Sequence, residues 1–137
     1  MKPEVAKAVD ELAAGAPGAG VRTKEDADGG AFVLVDGLEL GRFEPAISWI
    51  GFHVTWTYPE ADVYPHFIES SVRYIGDGPA PNVYPHGNLP TSMTRGAIMP
   101  GFELTAIQIS RKSNRRNPET DTALRKLLRI IEFLRSR

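Results

Sequence analysis

Apolar residues recur along this chain in two rhythms. Val5, Ala8, Val9 and Leu12 follow Pro3 at helical spacing, and Pro is at home in a first helical turn, so the pattern predicts a helix over residues 3–14. The Gly-, Ala- and Pro-rich stretch 15–20 ends it as a flexible joint, and the polar stretch 23–30 is turn-like. Residues 31–35 form a short apolar strand, Asp36-Gly37 is a hairpin signal, and residues 38–40 continue beyond it. Another strand covers residues 46–50. Phe52, Val54, Trp56 and Tyr58 then alternate with His53, Thr55 and Thr57, the period of a strand covered on one face, until Pro59 stops it. Ile68, Ser70, Val72 and Tyr74 alternate with Phe67, Glu69, Ser71 and Arg73 in the next strand. Residues 76–100 hold five prolines and four glycines, which predicts irregular backbone over most of their length. Residues 102–109 are the last strand.

Over residues 119–135 the rhythm becomes helical. Leu124, Leu127, Leu128, Ile131 and Leu134 share one face, and Arg125, Arg129 and Glu132 share the other. Thr120 or Asn117 caps this helix, with Glu119 and Asp121 at the positive end of its dipole. Five leucine-class side chains at roughly 1.5–3 kcal/mol each make the helix essential to the fold. The order of helix, antiparallel strands, irregular segment and helix is that of an α+β fold, with residues 1–137 as a single domain.

The 137 residues suffice for one domain with a sizeable core, and the formal net charge of -1 projects no global field toward nucleic acid or membrane. The charge is uneven: residues 111–137 hold nine basic and three acidic side chains, which leaves an acidic body and a basic end. The chain has no cysteine, so disulfides, thiolate metal sites and a cysteine nucleophile are excluded. No apolar run approaches a membrane span, and a cytoplasmic location is expected.

The central stretch bears on function. A strand leads to Tyr58-Pro59, then to Val63-Tyr64-Pro65, then to a second strand and Pro81-Asn82-Val83-Tyr84-Pro85-His86-Gly87. In this order the motifs resemble the ubiquitin-conjugating enzyme (UBC) family, over roughly residues 51–134. In that family a strand ends in Phe/Tyr-Pro, a Tyr-Pro turn follows, and the next strand leads to a His-Pro-Asn loop ahead of the catalytic cysteine. Here the loop motif stands as Ala80-Pro81-Asn82 and the cysteine is missing. Counting forward from Asn82 places the missing cysteine near Pro90, Thr91 and Ser92; counting back from Pro118 and the last helix places it near Gln108 to Ser110. The extra residues between resemble an inserted hairpin. The resemblance implies a UBC-like frame with an N-terminal helix, a four-stranded antiparallel meander, an irregular active-site loop and a C-terminal helix. It also implies a bacterial conjugation pathway, of the kind met in antiphage defence. The implied partners are a ubiquitin-like modifier, an activating enzyme and a deconjugating peptidase; no cofactor is implied.

Acyl transfer without cysteine needs an activated hydroxyl and donors for an oxyanion. The expectation is Ser110 as acyl carrier with Ser92 as second choice, Arg111 stabilising developing charge, Asn82 as the family-matched oxyanion donor and His86 as base. Each has a plainer role: Ser110 as a strand-end serine, Asn82 tying its own loop, His86 solvated, residues 111–116 a solvated basic turn. Trp49 and Trp56 are expected in the core, and Tyr64 and Tyr84 as packing residues. A domain of the same frame that only binds the modifier or the activating enzyme, or one whose basic last helix docks an acidic partner, fits the same residues. His53, His66 and His86 lack the spacing of a metal set, and the basic run 111–116 lacks the interleaved aromatics of a nucleic-acid surface.

Overall fold

The computed structural model describes residues 1–75 and 93–136. Helix α1 (Pro3–Gly15) is followed by strands β1 (Gly20–Glu25), β2 (Ala31–Glu39), β3 (Phe43–Glu44), β4 (Ile47–Val54), β5 (His66–Glu69), β6 (Arg73–Tyr74), β7 (Met93–Met99) and β8 (Leu104–Ile109), then helix α2 (Ala123–Arg135). The architecture is α+β. Six strands form one antiparallel sheet in the order β1-β2-β4-β5-β8-β7, and β3 pairs with β6 in a separate ribbon.

Both helices pack on one face of the sheet. Period-two alternation puts Val33 and Val35 of β2, Ile50, Phe52 and Val54 of β4, Ile68 of β5, and Ile107 and Ile109 of β8 on that face. They join Val5, Ala8 and Leu12 of α1 and Leu127, Ile130, Ile131 and Leu134 of α2 in a continuous core. The opposite face carries a smaller cluster of Phe67, Met99 and Ala106, with Phe32, Trp49, Phe102 and Leu104 against it. The tip of the β7–β8 hairpin lies over this face. Met99 presses on Gly51, where a Cβ would come within 2.7 Å of the methionine sulfur. Gly101, at φ 83°, packs on the Phe32 ring, and the Arg22 guanidinium lies 5.8 Å from the centre of the Phe102 ring. A bulge between Arg95 and Ala97, with Gly96 at φ 85°, bends β7.

Several sequence expectations change. The main sheet has six strands. Residues 20–25 form an edge strand despite their polarity, because β2 offers an unpaired edge there; the polar turn is shorter, closed by the Asp26 carboxylate accepting the N–H groups of Asp28 and Gly30. Asp36-Gly37 is a bulge inside one strand rather than a hairpin, since β2 is paired to β4 on both sides of it and Gly37 takes φ 70°. The two strands read around residue 51 are a single strand, β4, and it ends at Val54. Chain reversal at residues 55–58 therefore leaves Trp56 56% exposed rather than in the core. The strand read over residues 67–74 is interrupted at 70–72, and its end leaves the main sheet to pair with β3. Residues 93–99 are a strand, not loop, so residues 93–109 make a hairpin.

Helix α2 starts later than its periodicity suggests. Thr122 is the N-cap, its hydroxyl accepting from Arg125 N–H at 3.1 Å, and the Tyr58 hydroxyl accepts from Ala123 N–H at 3.1 Å. Asn117 and Thr120 belong to the preceding turn. The buried stripe is Ala123, Lys126, Leu127, Ile130, Ile131, Phe133 and Leu134, and Leu128 is 42% exposed. Among the described residues no helix is long and apolar enough to cross a membrane.

The stripe makes two adjacent leucines unequal. Leu127→Ala is expected to cost ~2–5 kcal/mol of unfolding free energy, through lost transfer energy and the cavity left behind. Leu128→Ala is expected to cost less than ~1 kcal/mol. Urea midpoints at constant m-value measure both, and equal effects would contradict this placement of the helix.

Candidate functional site

Between the Tyr-Pro corner, the segment leaving β8 and the first turns of α2, charge is buried. The Lys126 side chain is only 6% exposed, because its place in the apolar stripe directs it inward. Its ammonium donates to both Asp62 oxygens, at 3.1 and 2.9 Å, and to the Ser113 hydroxyl at 2.7 Å. Ser113 in turn donates to Asp62 from its backbone N–H at 2.8 Å and its hydroxyl at 2.9 Å. Arg116 completes the junction. Its guanidinium donates to the carbonyls of Pro59, of Glu60 at 3.1 Å and of Asp121 at 3.2 Å, and its Nε lies 3.6 Å from Asp62. Three chain segments distant in sequence are thus joined by one carboxylate, one ammonium and one guanidinium.

Burial pushes the Asp62 carboxyl up, but the Ser113 N–H, the Lys126 ammonium and the Ser113 hydroxyl outweigh it, and the carboxyl lies below its ordinary value. Burial draws the Lys126 ammonium down against the opposing pull of Asp62. His66, two residues before Ile68 on the same face of β5, is fully buried beside Phe52, at 5.0 Å between ring centres. Neither ring nitrogen has a hydrogen-bond partner among the described residues. Burial, with repulsion from Lys126, lowers its pKa to about 3, so it is neutral at physiological pH.

A pocket of about 150 Å³ opens beside this junction, lined by Arg111, Lys112, Ser113, Asn114, Lys126 and Arg129 over an Ile130 floor. Two of its cations are matched: Lys126 by Asp62, and Arg129 by Asp121 at 3.0 Å. The other two rest on aromatic rings, Arg111 at 4.0 Å from the centre of Phe133 and Lys112 at 5.3 Å from that of Tyr64. The arrangement suits binding of negative charge.

Of the residues expected to carry chemistry, Ser110 is half-buried at the end of β8, where its hydroxyl accepts from the Gln108 side-chain amide at 3.0 Å. Arg111 lies against α2. Ser110 and Arg111 are neighbours in the chain but have different partners. Asn82, His86 and Ser92, like Tyr84, lie outside the described residues. The basic run 111–116 is not uniformly solvated, since Ser113 and Arg116 are anchors. Sequence reasoning passed over Asp62, Ser113 and Lys126. A signal for Lys126 existed: it falls three residues after Ala123 and four before Ile130, inside the apolar stripe. No protein-family model, curated protein or solved structure matches the chain.

The junction makes two predictions. Lys126→Met leaves the Asp62 charge without its ammonium and is expected to cost ~3–5 kcal/mol. Arg129→Ala, at a half-exposed ion pair, is expected to cost less than ~1 kcal/mol. Chemical denaturation compares them, and a smaller loss at Lys126 would show that the ion pair is dispensable. The second concerns acid. Above the ordinary histidine value of 6.5, His66 is neutral whether folded or unfolded. Below it the unfolded chain takes up a proton that the native ring refuses until about pH 3. Stability should therefore fall as pH drops through that window, with a slope approaching ~1.4 kcal/mol per pH unit from this residue. The lowered Asp62 adds a loss at the acid end. His66→Leu should flatten the dependence above about pH 4, whatever its effect on absolute stability; an unchanged slope would refute the assignment.

Proposed function

We propose that the chain is a UBC-like component of a ubiquitin-like protein conjugation pathway, accepting the modifier from an activating enzyme. The observation that supports this reading is the run β1-β2-β4-β5. These four strands are antiparallel neighbours in chain order, with a helix before them and a helix at the end of the chain. The stretch after this run bears Pro81-Asn82, the part of the family's loop motif that this sequence keeps. The β7–β8 hairpin supports reading the residues between the two placements of the missing cysteine as an insertion.

In the carrier form of this reading Ser110 holds the modifier as an oxyester. Its Oγ attacks the acyl carbon of a thioester on the activating enzyme. The Oγ–C bond forms, the C–S bond breaks, and the departing thiolate takes up the hydroxyl proton. Asn82 supplies an oxyanion donor, and His86 the base that relays the proton; Ser92 is the alternative hydroxyl. A second reading, a domain that holds the modifier or the activating enzyme without acylation, is favoured by the contacts of two residues. The Ser110 hydroxyl is bonded to Gln108, and Arg111 is laid against Phe133.

Intact-mass measurement after incubation with activating enzyme, modifier and ATP tests both forms. The carrier form expects an added mass of the modifier less one water, labile to alkali or hydroxylamine and lost in Ser110→Ala. Persistence of the adduct in that variant with loss in Ser92→Ala moves the carrier role to Ser92. Co-elution without added mass supports the binding form. Absence of both the adduct and co-elution overturns the pathway assignment.

A further inference from the structure

The pocket beside α2 has an electrostatic imbalance that its internal pairs leave unrelieved. Asp62 answers Lys126 and Asp121 answers Arg129, while Arg111 and Lys112 have no carboxylate partner among the described residues. Both of these side chains are exposed, and exposed cations are ordinarily mobile and individually solvated. Here each has an aromatic shelf, Phe133 for the guanidinium and Tyr64 for the ammonium. The backbone between them and α2 is tied down through Ser113, whose N–H and hydroxyl are both held by Asp62. Donors confined in this way lose less freedom when they close on a ligand. Asn114 adds a neutral carboxamide to the same wall.

Size narrows the ligand. A volume of about 150 Å³ is about ten times the ~10–15 Å³ that a cavity needs to hold one water. It admits one small charged group with a few waters and is too small for a folded segment. Guanidinium and ammonium donors around such a space form charge-assisted hydrogen bonds to oxygen acceptors. We propose that this pocket binds one oxyanion group, a phosphate or a carboxylate presented by a partner molecule, with Arg111 and Lys112 as its principal donors. Lys126 acts behind them, fixing the wall through Asp62 and Ser113. This inference is independent of the conjugation reading.

Amide NMR of the full chain tests it, with sodium phosphate titrated in one arm and sodium acetate in the other, at constant ionic strength made up with chloride. Saturable shifts centred on Lys112, Ser113, Asn114 and Arg129 are expected. Saturation by phosphate alone identifies a phosphate site, by acetate alone a carboxylate site, and by both a general oxyanion site. The double variant R111Q/K112Q should bind at least about tenfold more weakly, while the remote variant K7Q/K24Q should bind as the parent does. Both pairs are exposed, so the folded state should survive, as the amide spectrum itself reports. Shifts that stay linear in both arms, or equal affinity in R111Q/K112Q and the parent, would overturn the proposal.

Discussion

The Lys126 ammonium lies within hydrogen-bond reach of both Asp62 oxygens and of the Ser113 hydroxyl, under a helix that cannot expose it without withdrawing its apolar stripe from the sheet. A charge in that position must be answered in place, because the desolvation penalty of an unpaired buried ion exceeds what a marginally stable domain has to spare. The answer comes from two remote segments. Asp62 belongs to the corner between β4 and β5, and Ser113 to the chain leaving β8. Once they are fixed, so are the direction in which the chain leaves the sheet and the rim on which Arg111, Lys112 and Asn114 stand. Packing of α2 and the shape of the pocket are therefore one constraint seen from two sides.

The sheet divides the molecule unequally. Its helix face is closed by α1 and α2 around valine, isoleucine and leucine side chains, with His66 as a neutral polar inclusion among them. Its other face is covered at one end by the tip of the β7–β8 hairpin, which a bulge and a left-handed glycine turn toward Phe32 and Gly51. Gly51 and Gly101 are small for a steric reason in each case: a sulfur and an aromatic ring occupy the space a side chain would need. The buried charge network adjoins the pocket lined by Arg111, Lys112 and Arg129, so the chain's basic end becomes a local feature with a defined wall.

Much of the fold was legible in the residues. Helical spacing marked both helices, and period-two alternation marked parts of β4 and β5. Errors clustered where pairing, not composition, decides. Residues 20–25 are polar and carry no strand rhythm, yet the free edge of β2 makes them a strand. Asp36-Gly37 has the composition of a hairpin, yet pairing to β4 on both sides of it turns the dipeptide into a bulge. The alternation through Trp56 and Tyr58 outlasts the strand, because nothing local shows that the chain reverses at Thr55. The site was less legible. Ser110 and Arg111 are adjacent in the chain, but both lie past the end of β8, and their side chains have different partners, Gln108 for one and Phe133 for the other. Asp62, Ser113 and Lys126 are far apart in sequence, and only the packing of α2 brings them together.

What the sequence by itself determined is the α+β class, the absence of any thiol chemistry, the two helices and the concentration of positive charge after residue 110. These follow from composition and short-range periodicity, which are properties of neighbouring residues. Tertiary structure alone decided which face of α2 is buried, which of the basic residues are anchors and which are available, and that four of them share one pocket. The reason is that burial and ion pairing depend on distances through space between residues 51 to 64 positions apart in the chain. No local pattern encodes such a distance until the core has closed.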